Sequence, residues 1–279
     1  MSLLQINHNI SSMNTQRNLN ISSFNLAKSL QKLSSGFRIN VAGDGPADLV
    51  ISEGLRAQIG GLNAALRNTQ EASNYLGIAE GALQEVNNLL VSMRALAVHA
   101  ANTGMVTTAQ VTADQAELTN ANAAITRIGL ATRFAGQAVF TAAARTFHIG
   151  EGSTSGAGSA DEVTLPTGSL AFPANPTTIA LGATGLTANL VIAAIDIAIA
   201  GVATRRATLG AFQKNTLMTN VNSLSVALEN VTATESYIRD ANMAQETSEY
   251  TKNQILVQAG VAVLAQANVA SQSVLALLK

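Results

Sequence analysis

Three histidines, His8, His99 and His148, are the side chains best suited to proton or metal chemistry near neutral pH. A zinc-hydrolase helix needs two of them four residues apart around a glutamate, so that both imidazoles share one face; here they are far apart. His148-Ile149-Gly150-Glu151 lacks that spacing too. The absence of cysteine removes thiol nucleophiles, thiolate zinc sites, iron–sulfur clusters and disulfides. The run from Gly150 to Gly156 has the glycines of a phosphate loop, but no Gly-Lys-Ser/Thr follows, and its third glycine falls one place late for a dinucleotide fingerprint. In the same run Thr154 stands where a nucleophile elbow needs serine. Ser29-Leu30-Gln31-Lys32 fits Ser-x-x-Lys without the partner motifs that would give it chemistry. Asp114 and Glu117 lie about one helical turn apart with nothing to suggest a cleft, and read as a solvated face or a partner of the helix dipole. Asn9, Asn20 and Asn230 head Asn-x-Ser/Thr triplets and are given no role. No catalytic, cofactor or metal site is therefore expected, and the sequence predicts a non-enzyme.

The elements that could hold a site follow from composition. Charged residues make up 12% of the 279 positions and aromatics 4%, while hydrophobic residues reach 47%; soluble domains average about 25% charged. A net charge of −1, from 16 basic and 17 acidic residues, gives no field to attract nucleic acid or an anionic membrane. The most apolar run, Leu190 to Val202, is broken by Asp196 and spans about 13 residues against the ~20 of a membrane span. It reads as a buried helix face, so no membrane insertion is expected. No charged segment and apolar block with a cleavage site opens the chain, so no cleaved signal peptide is expected.

Ile6, Ile10, Met13, Ile21, Phe24, Ala27 and Leu30 recur mostly at helical steps, predicting a helix to about Leu33. A linker follows near 34–46, marked by Ser34-Ser35-Gly36 and Gly43-Asp44-Gly45-Pro46. Leu62, Thr69, Leu76, Leu83, Leu90 and Ala97 are spaced by seven, and Ala65, Ala72, Ala79, Val86, Met93 and Ala100 form a partner series three residues on. That is a coiled-coil heptad. A second helix is expected from about Ala109 to Leu130, antiparallel to the first. Short β pieces follow at Gln137–Phe140, Thr146–Ile149 and Glu162–Leu165. Helical spacing returns from Thr187 through Leu209, Leu217, Val221, Leu224 and Leu228 to Ile238. The last piece, Ile255 to Leu278, is apolar nearly all round. One intramolecular contact cannot cover such a helix, and the economical solution is packing against further copies of the chain; a repeated heterologous contact that does not close gives a filament.

Leu33-Ser34-Ser35-Gly36-Phe37-Arg38-Ile39-Asn40, Glu80-Gly81-Ala82-Leu83-Gln84-Glu85-Val86-Asn87 and Met93-Arg94-Ala95-Leu96-Ala97-Val98 resemble the N-terminal core of bacterial flagellin. Leu209-Gly210-Ala211, Ile238-Arg239-Asp240-Ala241-Asn242-Met243-Ala244, Gln254 to Gly260 and Leu264-Ala265-Gln266-Ala267-Asn268 resemble its C-terminal signature. The resemblance covers roughly residues 1–140 and 187–279. It implies a mainly α fold: a long antiparallel coiled-coil-like bundle with paired terminal helices and a small β-hairpin region. Residues 1–42 and 240–279 would form an inner-tube coiled coil, and 43–239 an outer-tube bundle with 137–186 as a short surface segment, a minimal form without large outer domains.

The implied function is that of a structural subunit, unfolded at its ends as a monomer, that assembles helically into the extracellular filament used for motility. The implied partners are copies of itself, an export chaperone, the filament cap and hook–filament junction proteins, with export by a type III-like system. Core assembly contacts are expected at Ile10, Phe24, Ile255, Val263, Leu264 and Leu275, and bundle packing at Leu62, Leu76, Leu83, Leu90, Val221, Leu224 and Leu228. Arg94, Leu96 and Glu117 match a surface that faces an innate immune receptor, but Ser92 replaces an arginine typical of receptor-activating members. Ser153, Thr154 and Ser155 are candidate O-glycosylation positions. Ala135 and Ser271 also depart from the family's usual Asn and Pro. A junction protein with related termini is one alternative; a secreted surface binding module, which would need a pocket in the central segment, is another.

Overall fold

The computed structural model describes residues 8–141, 143–152, 161–166, 168–172, 180–181 and 185–276, with side chains at 187–269 of the last stretch. The fold is mainly α, with two small β-hairpins. The helices are α1 (Ile10–Ser35), α2 (Pro46–Ala101), α3 (Thr108–Ala131), α4 (Gly185–Phe212), α5 (Met218–Arg239) and α6 (Met243–Ala276). Strands β1 (Arg133–Phe134) and β2 (Gln137–Ala138) form one antiparallel pair, β3 (Arg145–His148) and β4 (Glu162–Leu165) the other. The chain divides into two compact units, Met1–Ala57 with Asn230–Lys279, and Gln58–Glu229. These limits fall further from the chain ends than 42/43 and 239/240, the boundaries expected from the family pattern.

The central unit is organised by the α2 heptad. Both series of that repeat, from Leu62 to Ala97 and from Ala65 to Ala100, are at most 4% exposed. Glu80 pairs with Arg206 at 2.8 Å and Arg94 with Asp196 at 2.6 Å, so the numbering along α2 and α4 runs in opposite directions. The long helices are therefore antiparallel, with small alanines in the seam allowing close approach. Thr107 starts α3 with a reciprocal cap, accepting from the Gln110 N–H while the Gln110 side chain accepts from its own N–H. Leu118 and Ile125 of α3 are buried in the same core.

The hairpins close this core through aromatic rings. Tyr75 donates to the Val139 carbonyl at 2.8 Å and meets Phe134 and Phe147 edge-on. Burial pushes its phenol pKa above the ordinary value. Phe172 lies so close to Gly129 of α3 that a Cβ there would sit 2.8 Å from the ring. Sequence reading placed the first β piece at 137–140; the hairpin instead begins at Arg133 and turns through Ala135 and Gly136. Both turn residues have positive φ, 48° and 82°, as a two-residue hairpin with the right strand twist requires.

Leu190–Val202 supplies the expected buried helix face through Val191, Ile195, Ala198 and Val202, while Leu190 and Ile197 on the other side are 66% and 74% exposed. By length and composition alone, Thr187–Arg239 is also long and apolar enough to cross a membrane; 28% of its most apolar window is buried inside the protein. The last helix starts at Met243 and not near Ile255, because Asn242 caps it, accepting from the backbone N–H groups of Ala244 and Gln245.

Ala135 carries the steric cost of a left-handed backbone without compensation from a glycine. Ala135→Gly is expected to raise stability by about 1 kcal/mol, read as a higher thermal midpoint; an unchanged or lower midpoint would refute this account of the turn.

Candidate assembly interface

The terminal unit is built on α1 and α6. Asn9 donates to the Ala267 carbonyl at 3.0 Å, Ser12 to Asn268 at 3.0 Å, and Lys32 pairs with Glu246 at 3.4 Å, so the two helices run antiparallel. Gly260 permits a close approach: a Cβ there would lie 3.1 Å from the Leu19 Cδ1. The helix ends are secured locally. Asn9 caps α1 by accepting from the Ser12 N–H at 3.0 Å, and Gly36, at φ 76°, stops it with its N–H on the Lys32 carbonyl.

Beyond Gly36, the two segments of the chain are strapped together. Phe37 and Asp240 form an isolated antiparallel bridge, with the Arg38 N–H on the Arg239 carbonyl at 2.7 Å and the Ala241 N–H on the Gly36 carbonyl at 2.9 Å. Two arginines reach across in opposite directions. Arg38 donates to the Ile238 carbonyl near the end of α5 and to Asp48. Arg239 stacks on the Phe37 ring at 4.8 Å and donates to Glu53 at 3.2 Å. Lys28 completes the strap by pairing with Asp44 at 2.8 Å, while Asp44 also accepts from the backbone N–H groups of Asn40 and Val41.

This unit has almost no apolar interior. Among the described residues, Ile39 is its only buried hydrophobic side chain; Ser29, Ser52 and Glu246 are buried polar ones. The large apolar side chains point outward instead. Met13, Ile21 and Phe24 line an open groove of about 560 Å³ on α1 with Gln16, Arg17 and Asn20. On α6 Ile255, Leu256, Val261, Val263 and Val269 are all exposed. Of the expected assembly contacts, Ile10, Phe24, Ile255 and Val263 are exposed by more than half, and Leu264 is half-buried. The Leu275 side chain lies outside the described residues, as do Ser153, Thr154 and Ser155.

In the central unit, Leu62, Leu76, Leu83, Leu90 and Leu224 are buried, and Val221 and Leu228 are half-buried. Arg94 is exposed but tied to Asp196, Leu96 packs on the core, and Glu117 is exposed. His99 and His148 of the central unit each face a single carboxylate. His99 pairs with Asp114 at 2.6 Å and His148 lies 4.0 Å from Glu162. Among the described residues no cluster of His, Asp or Glu could hold a metal ion. Sequence reading missed the Arg38, Arg239 and Asp44 contacts, whose partners lie in another helix or across the whole chain.

Asp44 supplies a pH test of the strap. Its hydrogen bond to Lys28 holds the carboxyl below its ordinary pKa of 3.8, against burial, which raises it. A depressed folded pKa contributes stability that is complete above about pH 5 and is lost as pH falls through the folded value. Asp44→Asn should destabilise the terminal unit at pH 7 and reduce its loss of helicity between pH 5 and 3; an acid transition equal to that of the parent would sink this assignment.

Two family models match the chain: the bacterial flagellin N-terminal helical region over residues 6–144 and the bacterial flagellin C-terminal helical region over 192–278. A flagellar filament 33 kDa core protein of Treponema phagedenis is 39% identical over 98% of this chain and 99% of its own length. A flagellin of Halalkalibacterium halodurans is 41% identical over 98% and 99%, and one of Bacillus subtilis 37% identical over 99% and 100%. With both helical regions matched and relatives aligned end to end across the bundle and the paired termini, the chain belongs to the bacterial flagellin family.

Proposed function

We propose that the chain is a structural subunit that self-assembles helically into a bacterial flagellar filament used for motility. The observation that carries this reading is a terminal unit with, among its described residues, one buried hydrophobic side chain and apolar side chains exposed along both α1 and α6. Full burial of each Ile, Leu or Phe contributes about 1.5–3 kcal/mol. Covering several of them together therefore offsets an association cost of about 4–15 kcal/mol. Copies of the same surface are the natural cover, since each subunit presents the same unfilled faces. In this reading residues 1–42 and 240–279 form the inner tube and 43–239 the outer one. Ile10, Phe24, Ile255, Val263, Leu264 and Leu275 make the core contacts. The exposed side of α4, with Leu190 and Ile197, meets protein and not lipid.

The role is structural, without a catalytic step. The same reading takes the chain out of the cell through a type III-like route. An export chaperone, the filament cap and hook–filament junction proteins are its further partners. Membership of the family supports this part of the reading.

Electron microscopy of the purified protein, with seeds or ammonium sulfate to favour apolar burial, should show uniform filaments. Phe24→Asp and Leu264→Asp should each abolish them while leaving the thermal transition of the central bundle within about 2 °C of the parent. Persistent monomers or short caps from the unmodified protein would overturn the filament reading in favour of a junction protein. Loss of the bundle transition in both variants would overturn the division between an assembling end and an independently folded bundle.

A further inference from the structure

The buried residues of α4 and α5 carry a counting error. Ile195, Val202 and Leu209 are buried at steps of seven, and Leu217 and Leu224 at the same step, but eight residues separate Leu209 from Leu217. In an unbroken α-helix eight residues turn about 80° past two full turns, which would swing Leu217 off the seam. It is nevertheless 1% exposed. The segment Gln213–Leu217 is a π turn, closed by the Met218 N–H on the Gln213 carbonyl, and a single π turn absorbs one inserted residue.

The surplus residue sits against a polar layer. In the α2 series Leu62, Thr69, Leu76, Leu83 and Leu90, Thr69 alone carries a hydroxyl, and it is fully buried. Asn220 donates to Thr69 at 3.4 Å and to the Ile149 carbonyl at 2.9 Å. Gln213, the first residue of the π turn, donates to Ser73 at 3.0 Å. Asn220 is half-buried beside the seam, and its two bonds tie the helix register, because moving it by one residue takes it off both acceptors.

We propose that Gln213–Leu217 is a slip joint: the seam holds one residue more than its repeat needs, and Asn220 and Gln213 lock that residue in place. Released from the lock, the π turn migrates along α4 and α5 by local hydrogen-bond exchange. Each residue it passes rotates by about 100° while the seam beyond the turn keeps its register. The fold thus contains a defined place where one long helix can change phase without unfolding.

Two single-residue deletions test this. Removing Thr216 places Leu217 seven residues after Leu209, so the π turn disappears and Leu217 and Asn220 keep their contacts. The thermal midpoint of the bundle should stay within about 2 °C of the parent or rise, and amide exchange across 213–217 should slow by at least about tenfold. Removing Ser223 also brings the total spacing back to whole heptads, but only by putting Thr216 in the place of Leu217 and taking Asn220 off Thr69. Its midpoint should fall by at least about 5 °C. Asn220→Ala, which unlocks the joint without changing the count, should widen the fast-exchanging stretch beyond 213–217. Equal losses of stability in the two deletions, or a fast-exchanging stretch unchanged by Asn220→Ala, would overturn the proposal.

Discussion

The terminal unit rests on one constraint: two antiparallel helices give each other only one face, and α1 and α6 have apolar residues on more than one. The face they share is narrow and partly polar, built around Ser29, Lys32 and Glu246 and tightened where Leu19 meets Gly260. The central unit solves the same problem differently. There α2 meets α4 across a continuous seam, and α3 and the aromatic hairpins close the core around it, leaving one side of α4 exposed at Leu190 and Ile197. One unit encloses a continuous apolar core, and the other leaves large apolar side chains of both its helices uncovered.

The strap between Gly36 and Asp48 shows how a unit with little core is still given a definite shape. Arg38 and Arg239 reach across in opposite senses, each spending its donors on a carbonyl or carboxylate of the other segment. Neutral–neutral hydrogen bonds exposed to water would contribute little here, whereas charge-assisted ones at a crowded crossing contribute direction. The price is sensitivity to protonation, concentrated at Asp44.

Sequence patterning disclosed the long-range architecture where side chains repeat. The α2 heptad was legible residue by residue because every seventh position but Thr69 is apolar and every position of both series is buried. The all-round apolarity of α6 disclosed the uncovered ends for the same reason. Patterning failed where a single position decides. Asn242 starts α6 well before its apolar repeat becomes continuous, Ala135 occupies a turn position that usually signals itself by Asn or Gly, and one surplus residue after Leu209 is invisible to a search for steps of three, four and seven. The ion pairs of the strap left no periodic trace, since Lys28 and Arg239 are unremarkable on their helices and Arg38 lies in the linker between α1 and α2.

The pairing of α1 with α6 joins the extremes of the chain: Asn9 and Ala267 are 258 positions apart. Loop-closure entropy penalises such a contact more than any made within a neighbouring hairpin, and it cannot form until the final helix has been synthesised. The bundle, whose helices are closer in sequence, can fold first and hold the two arms on a shortened tether. A chain emerging amino end first therefore carries α1 for its whole passage without the partner it was shaped to meet, and the apolar surface that completes the structure is the last to be assembled.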